Sequence, residues 1–142
     1  MITPPYKGVK YIYVKGTVIM CVVDVHAILV KELEKTDNKL YKDVISDILD
    51  QEDPYNYLLN IEYGGGQSGV ITSLIYTVDC SNFVKEHLEE VLDIVNEYTQ
   101  EYGALNGDLS VSFLAWLSYE KVAQDMLNIV QDEIYSSQLK YE

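Results

Sequence analysis

The sequence predicts a single-domain α+β fold, a mostly antiparallel five-stranded sheet with three to four helices in the order ββ-α-ββ-α-β-α. Three observations lead to this prediction. Several short segments alternate apolar and polar residues or are rich in β-branched residues, as strands are. Longer segments repeat apolar residues at helical spacing. The 142 residues, 48% of them hydrophobic, contain no internal repeat or linker, so we expect one domain (1–142) with an N-terminal arm at 1–8.

Residues 9–14 and 17–25 predict an N-terminal β-hairpin. The first segment alternates in the manner of a half-buried strand, and the second is a nearly continuous apolar run, which is typical of a central strand. Lys15-Gly16 suits the tight turn between them, because glycine adopts a positive φ without strain. Pro4-Pro5 favours an extended arm that does not enter the sheet.

The spacing of apolar residues becomes helical between His26 and Gln51. Residues 27–35 form a short helical piece, and residues 40–49 form an amphipathic stretch whose aspartates lie outside the apolar stripe. Thr36-Asp37-Asn38 between them offers a break and an N-cap. The two pieces are either one bent helix or two separate helices, and the sequence slightly favours two. The residues QEDP at 51–54 predict the end of the second piece.

The remaining strands are predicted at Tyr57–Tyr63, Val70–Val78 and Leu109–Leu117. The second of these is rich in β-branched residues, and the third alternates apolar and polar positions. Ser118 is a suitable N-cap for a final amphipathic helix that runs from Tyr119 to about Tyr135. These segments complete the predicted sheet and place its helices mainly on one face.

The strongest helix prediction covers Ser81–Gly103, with Ser81 as the N-cap and Gly103 at the C′ position. One side of this helix is apolar at helical spacing and suits a helix that covers a sheet. The apolar positions are Phe83, Val84, His87, Leu88, Val91, Leu92, Val95 and Tyr98.

The other side of the same helix is acidic, with no lysine from residue 86 to residue 101. Like charges four residues apart repel by a few tenths of a kcal/mol per pair, which is a reason to look for a function of this row. A plain solvated face is the alternative interpretation. The residues predicted to bind a partner are Glu86, Glu89, Glu90, Asp93, Glu97 and Glu101.

A glycine-rich run follows the third predicted strand. It matches G-x-G-x-x-G in letters, but the next segment predicts a strand and not the helix whose N-terminus would meet a pyrophosphate. A flexible hairpin loop is the plain interpretation. The alternative is a nest of backbone amides that holds a small anionic ligand, formed by Gly64, Gly65, Gly66, Gln67 and Ser68.

Charge and composition exclude several classes of function. The chain carries a formal charge of −13, from 23 acidic residues and 10 basic ones, and every basic residue is a lysine. Because arginine is the preferred ligand of phosphate groups, we expect no direct binding of DNA or RNA. Cys21 and Cys80 predict two buried thiols in a reducing compartment, with a disulfide between them as the alternative. We expect a cytoplasmic protein that does not enter a membrane.

The sequence contains no recognisable catalytic or metal-binding signature. The two histidines are His26 and His87, and neither lies in a motif typical of a nucleophile or of a zinc site. His87 lies on the apolar side of its helix, where a semi-buried structural histidine is the expected role. We therefore expect a non-enzymatic protein without cofactor, although an enzyme of unfamiliar type would leave no mark in the sequence.

The leading hypothesis is an acidic binding protein that docks on a basic protein partner and inhibits it. Phage proteins that block host defence nucleases and immunity proteins that neutralise toxins are of this type. The spacing of the acidic row also roughly matches that of phosphates along a strand, which makes nucleic-acid mimicry physically reasonable. The alternative is an oligomeric protein that sequesters an anionic metabolite or nucleotide with the glycine-rich run. A subunit of a viral particle is a third hypothesis. A sheet with one uncovered face would also favour a homodimer.

Overall fold

Helices dominate the structure, and the predicted five-stranded α+β sheet is wrong. The structure, a computed structural model, describes residues 10–14, 17–21, 23–61, 80–103 and 110–139, with the backbone alone for 10–14, 17–21 and 137–139. Its elements are β1 (Lys10–Val14), β2 (Thr17–Cys21), α1 (Val25–Lys35), α2 (Lys39–Leu49), α3 (Pro54–Leu59), α4 (Cys80–Glu86), α5 (Leu88–Tyr102) and α6 (Val111–Leu139).

The hairpin is the part of the predicted sheet that the described residues contain. Strands β1 and β2 are antiparallel, and their register pairs Lys10 with Cys21 and Val14 with Thr17. The predicted second strand continued to Val25, but Val25 is the first residue of α1. The Asp24 side chain caps that helix, because its Oδ1 accepts a hydrogen bond from the Ala27 N–H at 3.0 Å.

Residues 25–49 form two helices, as the sequence slightly favoured. The predicted break at 36–38 lies between them, and Asn38 is the N-cap of α2. Its Oδ1 accepts a hydrogen bond from the Tyr41 N–H at 3.2 Å. Four residues on the apolar side of α2 are fully buried, namely Leu40, Val44, Ile45 and Ile48. Local capping signals were therefore sufficient to predict this part of the fold.

The predicted third strand, Tyr57–Tyr63, is helical where the structure describes it. Helix α3 begins at Pro54, and the Oδ1 of Asp53 accepts a hydrogen bond from the Asn56 N–H at 3.2 Å. Helix α2 ends at Leu49, close to the predicted end, but the same motif also starts a helix, with an aspartate N-cap followed by a proline in the first turn. The predicted fourth strand, Val70–Val78, lies outside the described residues.

The predicted fifth strand, Leu109–Leu117, is also wrong, since α6 runs without interruption from Val111 to Leu139. Ser110 provides its N-cap, because its Oγ accepts a hydrogen bond from the Phe113 N–H at 3.2 Å. Ser118, predicted as the cap, lies inside the helix and is fully buried. Its Oγ donates to the carbonyl oxygen of Leu114 at 2.9 Å, so this polar group is satisfied within α6.

Helix α6 is the centre of the described fold, because it packs against each of the other five helices and against β2. Most of its buried positions have another buried position three or four residues away, which places them along one broad side of the helix. They are Ala115, Leu117, Ser118, Tyr119, Val122, Ala123, Met126, Leu127 and Val130.

The predicted continuous helix over Ser81–Gly103 is broken at His87. Cys80 already belongs to α4, so Ser81 is not its N-cap. His87 leaves the helical conformation, with φ −123° and ψ 31°, and α5 begins at the next residue. The prediction for Gly103 is confirmed, because it ends α5 with φ 86° and its N–H donates to the Thr99 carbonyl at 2.8 Å.

A chain of hydrogen bonds joins α3 and α6 to α2. The Tyr119 hydroxyl donates to the Asp47 carboxylate, and the Tyr57 hydroxyl lies 2.7 Å from the Tyr119 oxygen. Because the single Tyr119 proton already points at Asp47, Tyr57 donates to Tyr119. Asp47 was predicted to lie outside the apolar stripe of α2, yet it is partly buried, and that burial raises the pKa of its carboxyl group.

Three further expectations concern the oligomeric state, the membrane and the two cysteines. The homodimer was inferred from an uncovered sheet face, and that basis is lost with the five-stranded sheet. No helix in the described ranges has both the length and the apolar character that crossing a bilayer requires. A Cys21–Cys80 disulfide would involve the Cys21 side chain, which lies outside the described residues.

The first prediction concerns stability at alkaline pH. Burial of the Tyr119 hydroxyl, followed by the nearby Tyr57 and Asp47, raises its pKa above the ordinary value of 10.0. A raised pKa stabilises the fold fully below pH 10, and this contribution is lost as the pH rises above 10. The unfolding free energy of the unchanged protein should therefore fall as the pH rises above 10. In Tyr119→Phe this fall should be less steep, by about 1.4 kcal/mol per pH unit.

The unfolding free energy is measured by urea denaturation between about pH 9 and pH 11. In this range its slope against pH reports groups whose pKa differs between the folded and unfolded states. Tyr135→Phe is the matched control, because the Tyr135 side chain is 61% exposed. It should retain the slope of the unchanged protein. An identical slope for Tyr119→Phe would show that the Tyr119 hydroxyl is not protected from ionisation in the folded state.

The second prediction tests which side of α5 faces the core. Val91 is fully buried, whereas the adjacent Leu92 is 51% exposed. We expect Val91→Ala to lower the unfolding free energy by about 2 kcal/mol, because it leaves a cavity in the core. Leu92→Ala should lower it by less than about 1 kcal/mol, since its side chain keeps half its solvent contact. Urea denaturation measures both, and equal losses would contradict this orientation of α5.

Candidate functional site

The predicted partner-binding residues are divided between two helices. Glu86 is the last residue of α4, and the other five lie on α5. The break at His87 separates them, so the acidic residues do not form one continuous row from Glu86 onward. Glu90 is partly buried, and the remaining acidic residues of α5 are exposed. The longest regular series is therefore confined to α5.

We call Glu89, Asp93, Glu97 and Glu101 the α5 row. They recur every four residues, and the 12 residue steps from Glu89 to Glu101 correspond to about 18 Å along the helix axis. None of them forms an ion pair with a lysine within the part of the chain that the structure describes. The last turn of α5 also contains no basic residue that would balance the helix dipole. The negative charge of this row is thus not neutralised by the described surroundings.

The α5 row winds around its helix, since each step of four residues advances it by about 40°. The row therefore changes its surroundings along its length. Its second half, Glu97 and Glu101, lines a groove between α5 and α6. The first half of the row thus faces solvent outside the groove, and the second half forms part of the groove wall.

The α5–α6 groove has a volume of about 530 Å³ and combines carboxylates with aromatic rings. Its one lysine is Lys121, whose Nζ lies 3.0 Å from Oδ1 and 3.1 Å from Oδ2 of Asp125. The groove therefore keeps a negative charge. Its aromatic residues are Tyr98, Tyr102 and Trp116, and the rings of Tyr98 and Tyr102 lie 4.8 Å apart. Carboxylates beside aromatic faces suit a cationic side chain.

Two leucines on α5 are exposed, contrary to the predicted apolar stripe. Leu88 is 52% exposed and Leu92 is 51% exposed, whereas Ile94, which the stripe omitted, is buried. Helix α5 is thus rotated relative to the predicted orientation, so that its buried side is formed by Val91 and Ile94. Exposed leucines next to carboxylates resemble the composition of a protein interface, an apolar centre with a charged rim.

A second polar cluster lies where α4 ends. His87 is only 2% exposed, and its Nε2 lies 2.6 Å from Oδ2 of Asp43 on α2. Its Nδ1 lies 2.7 Å from the carbonyl oxygen of Phe83. Because a carbonyl only accepts hydrogen bonds, we assign a proton to Nδ1. His87 is fully buried and not semi-buried as predicted, and its position is set by a carboxylate that the sequence did not connect with it.

Glu86 completes this cluster. One ligand atom from each of Asp43, Glu86 and His87 lies within 4.8 Å of the others. Together with Asp47 and Tyr119 they line a cavity of about 170 Å³. Asp43 and His87 are 44 residues apart in sequence, so no local motif could have predicted their contact. The local signal available was a histidine among apolar residues, which requires a polar partner when buried.

The predicted ligand-binding run, Gly64, Gly65, Gly66, Gln67 and Ser68, lies outside the described residues. Its role as an anion-binding nest therefore stays a prediction, as does the alternative of a flexible hairpin loop.

The Asp43–His87 contact leads to a third prediction. Asp43→Ala removes the partner of a buried ring nitrogen, and an unpaired buried polar group destabilises a fold. We expect the unfolding free energy at neutral pH to fall by about 1–3 kcal/mol. Asp37→Ala is the control, because Asp37 is exposed, and it should change stability by no more than about 0.5 kcal/mol. Thermal and urea denaturation measure both variants, and equal effects would contradict a stabilising role for the pair.

Comparison with known proteins identifies the family to which the chain belongs. No curated protein and no solved structure matches the sequence. A protein-family model matches residues 36–132, more than half of the 142 residues. The matched region includes α2, the α5 row and the Asp43–Glu86–His87 cluster. The chain therefore belongs to the family described as Domain of unknown function (DUF7222).

Proposed function

We propose that this protein is a non-enzymatic, cytoplasmic binding protein that docks on a basic surface of a partner protein and inhibits it. The observation that carries the proposal is the α5 row, four exposed carboxylates without an ion pair among the described residues. The formal charge of −13 supplies a long-range field of the same sign. Such a field accelerates encounter with a basic partner and orients it.

The energetics of the α5 row favour a function for it. The row contains three like-charge pairs at a spacing of four residues, which together destabilise the free helix by about 1 kcal/mol at low salt. Binding a cationic surface converts this repulsion into attraction. A plain solvated face would carry the same repulsion without any gain. The two interpretations therefore differ in whether neutralising the row abolishes binding of a partner.

The surroundings of the row supply contacts that charge alone lacks. The exposed side chains of Leu88 and Leu92 can be buried against apolar groups of the partner. At the other flank, the α5–α6 groove can hold a lysine or arginine side chain between its carboxylates and the rings of Tyr98 and Trp116. The charge of the row would accelerate association with the partner, and these contacts would stabilise the complex.

The spacing of the row suggests the class of partner. Single negative charges about 6 Å apart along a rigid helix resemble the regular charges of a nucleic-acid backbone. We therefore propose that the partner is a protein whose basic surface ordinarily binds nucleic acid, such as a nuclease. Occupation of that surface by the α5 row would prevent nucleic acid from binding there, which is the proposed mode of inhibition.

The fourth prediction tests the row with a charge-matched pair of variants. The row variant carries Glu89→Gln, Asp93→Asn, Glu97→Gln and Glu101→Gln. The control variant neutralises four exposed acids elsewhere, with Glu34→Gln, Asp37→Asn, Glu52→Gln and Glu133→Gln. Both variants change the net charge by the same amount. We expect the row variant to lose the partner and the control variant to retain it, because position matters in addition to total charge.

The measurement is affinity capture from cell lysate with the unchanged protein and both variants, at about 50 mM and about 500 mM salt, where screening differs strongly. The association rate of the captured protein, once purified, should be at least about tenfold lower for the row variant. Circular dichroism verifies that both variants remain helical. If both variants lose the partner equally, or neither does, the α5 row is a solvated face and the proposal fails.

A further inference from the structure

We propose that Asp43, Glu86 and His87 bind one divalent transition-metal ion, of which Zn²⁺ is the best fit. This site is distinct from the α5 row and does not depend on the proposed function. It joins two carboxylates and one imidazole from α2 and the end of α4, with their ligand atoms within 4.8 Å of one another. Two carboxylates and one neutral imidazole would carry a charge of −2, which balances a divalent cation.

His87 has the features of a metal ligand that is already oriented. Its ring is 98% buried, and the Phe83 carbonyl oxygen holds Nδ1 at 2.7 Å. In metal sites, the non-coordinating ring nitrogen of a histidine usually donates to a carbonyl or carboxylate in this way. The other ring nitrogen, Nε2, lies 2.6 Å from Oδ2 of Asp43 with a proton between the two atoms. A bound ion would take the place of that proton, which is released to solvent, and would leave the imidazole neutral.

The carboxylates can adjust to the ion because both are accessible. Ligand atoms about 2.0–2.1 Å from a tetrahedral ion lie roughly 3.3 Å apart. The Asp43 oxygen must therefore move outward from its present 2.6 Å separation from Nε2, and Glu86 must move closer. Asp43 is 49% exposed and Glu86 is exposed, so both side chains can rotate without disturbing the core.

The surroundings favour a cation and leave room for a fourth ligand. The other charged or titratable groups that line the cavity are Asp47 and Tyr119, and no lysine lines it. The cavity volume of about 170 Å³ accommodates the ion together with a water molecule. One nitrogen and two oxygens suit Zn²⁺ better than Ca²⁺, which requires six to eight oxygen ligands. When bound, the ion would link α2 to α4 beside the break that precedes α5.

The test is calorimetric titration of the full chain with ZnCl₂, in parallel with Glu86→Gln. We expect one Zn²⁺ per chain for the unchanged protein, a raised melting temperature, and a Kd at least about tenfold weaker for Glu86→Gln. Glu86→Gln is preferred to a change at His87, because loss of the buried ring would threaten folding. Two controls, Glu133→Gln and His26→Gln, alter an exposed acid and the other histidine and should bind as the unchanged protein does.

A spectroscopic measurement identifies the ligand directly. The chain has two histidines, so a two-bond ¹H–¹⁵N spectrum resolves both rings. On addition of ZnCl₂ we expect the Nε2 resonance of His87 to shift while that of His26 stays in place. A shift confined to His26, no shift in either ring, or an unchanged Kd for Glu86→Gln would overturn the proposal. Loss of the α5 row in the row variant should leave Zn²⁺ binding intact.

Discussion

Burial of α6 is the interaction on which the rest of the described structure depends. Every other described helix packs against it, so each of the five buries part of its apolar surface on this one helix. Small residues such as Ala115 and Ala123 allow neighbouring helices to approach closely, while Tyr119 and Leu127 fill the space between them. Ser118 is tolerated at the centre because its hydroxyl is satisfied by the carbonyl of Leu114. Without this helix the shorter ones would lack a surface on which to fold.

The position of α6 also determines what is left at the surface. Because Val91 and Ile94 are buried, the exposed part of α5 includes its carboxylates and two leucines. The end of the α5 row then meets α6 and forms a groove with Trp116. Between α4 and α5, the break at His87 places the histidine ring against Asp43. The two candidate sites thus arise from the same packing, one on the outer side of α5 and the other between α2 and α4.

Local signals predicted helices correctly where capping residues and spacing agreed. Asn38 is a cap in both the sequence prediction and the structure, and Gly103 ends α5 with a positive φ. The prediction failed where the same residues have two interpretations. Asp53-Pro54 suits both the end of one helix and the start of the next. Residues 109–117 alternate over a short window, but the buried positions from Ala115 onward continue a helical period through Val130. Tertiary burial of that longer stripe outweighs the local β propensity.

By itself, the sequence determined the quantities that depend on composition and on near neighbours: the acidic charge, the absence of arginine, the capping residues and the order of carboxylates along α5. Only the tertiary structure decided which side of α5 is buried, where its helix breaks and which distant residues meet. The contact of Asp43 with His87 and the groove shared by Glu97 and Trp116 are of the second kind. The physical reason is that capping and helical periodicity act within a few residues, whereas burial depends on which surfaces pack together across the whole chain.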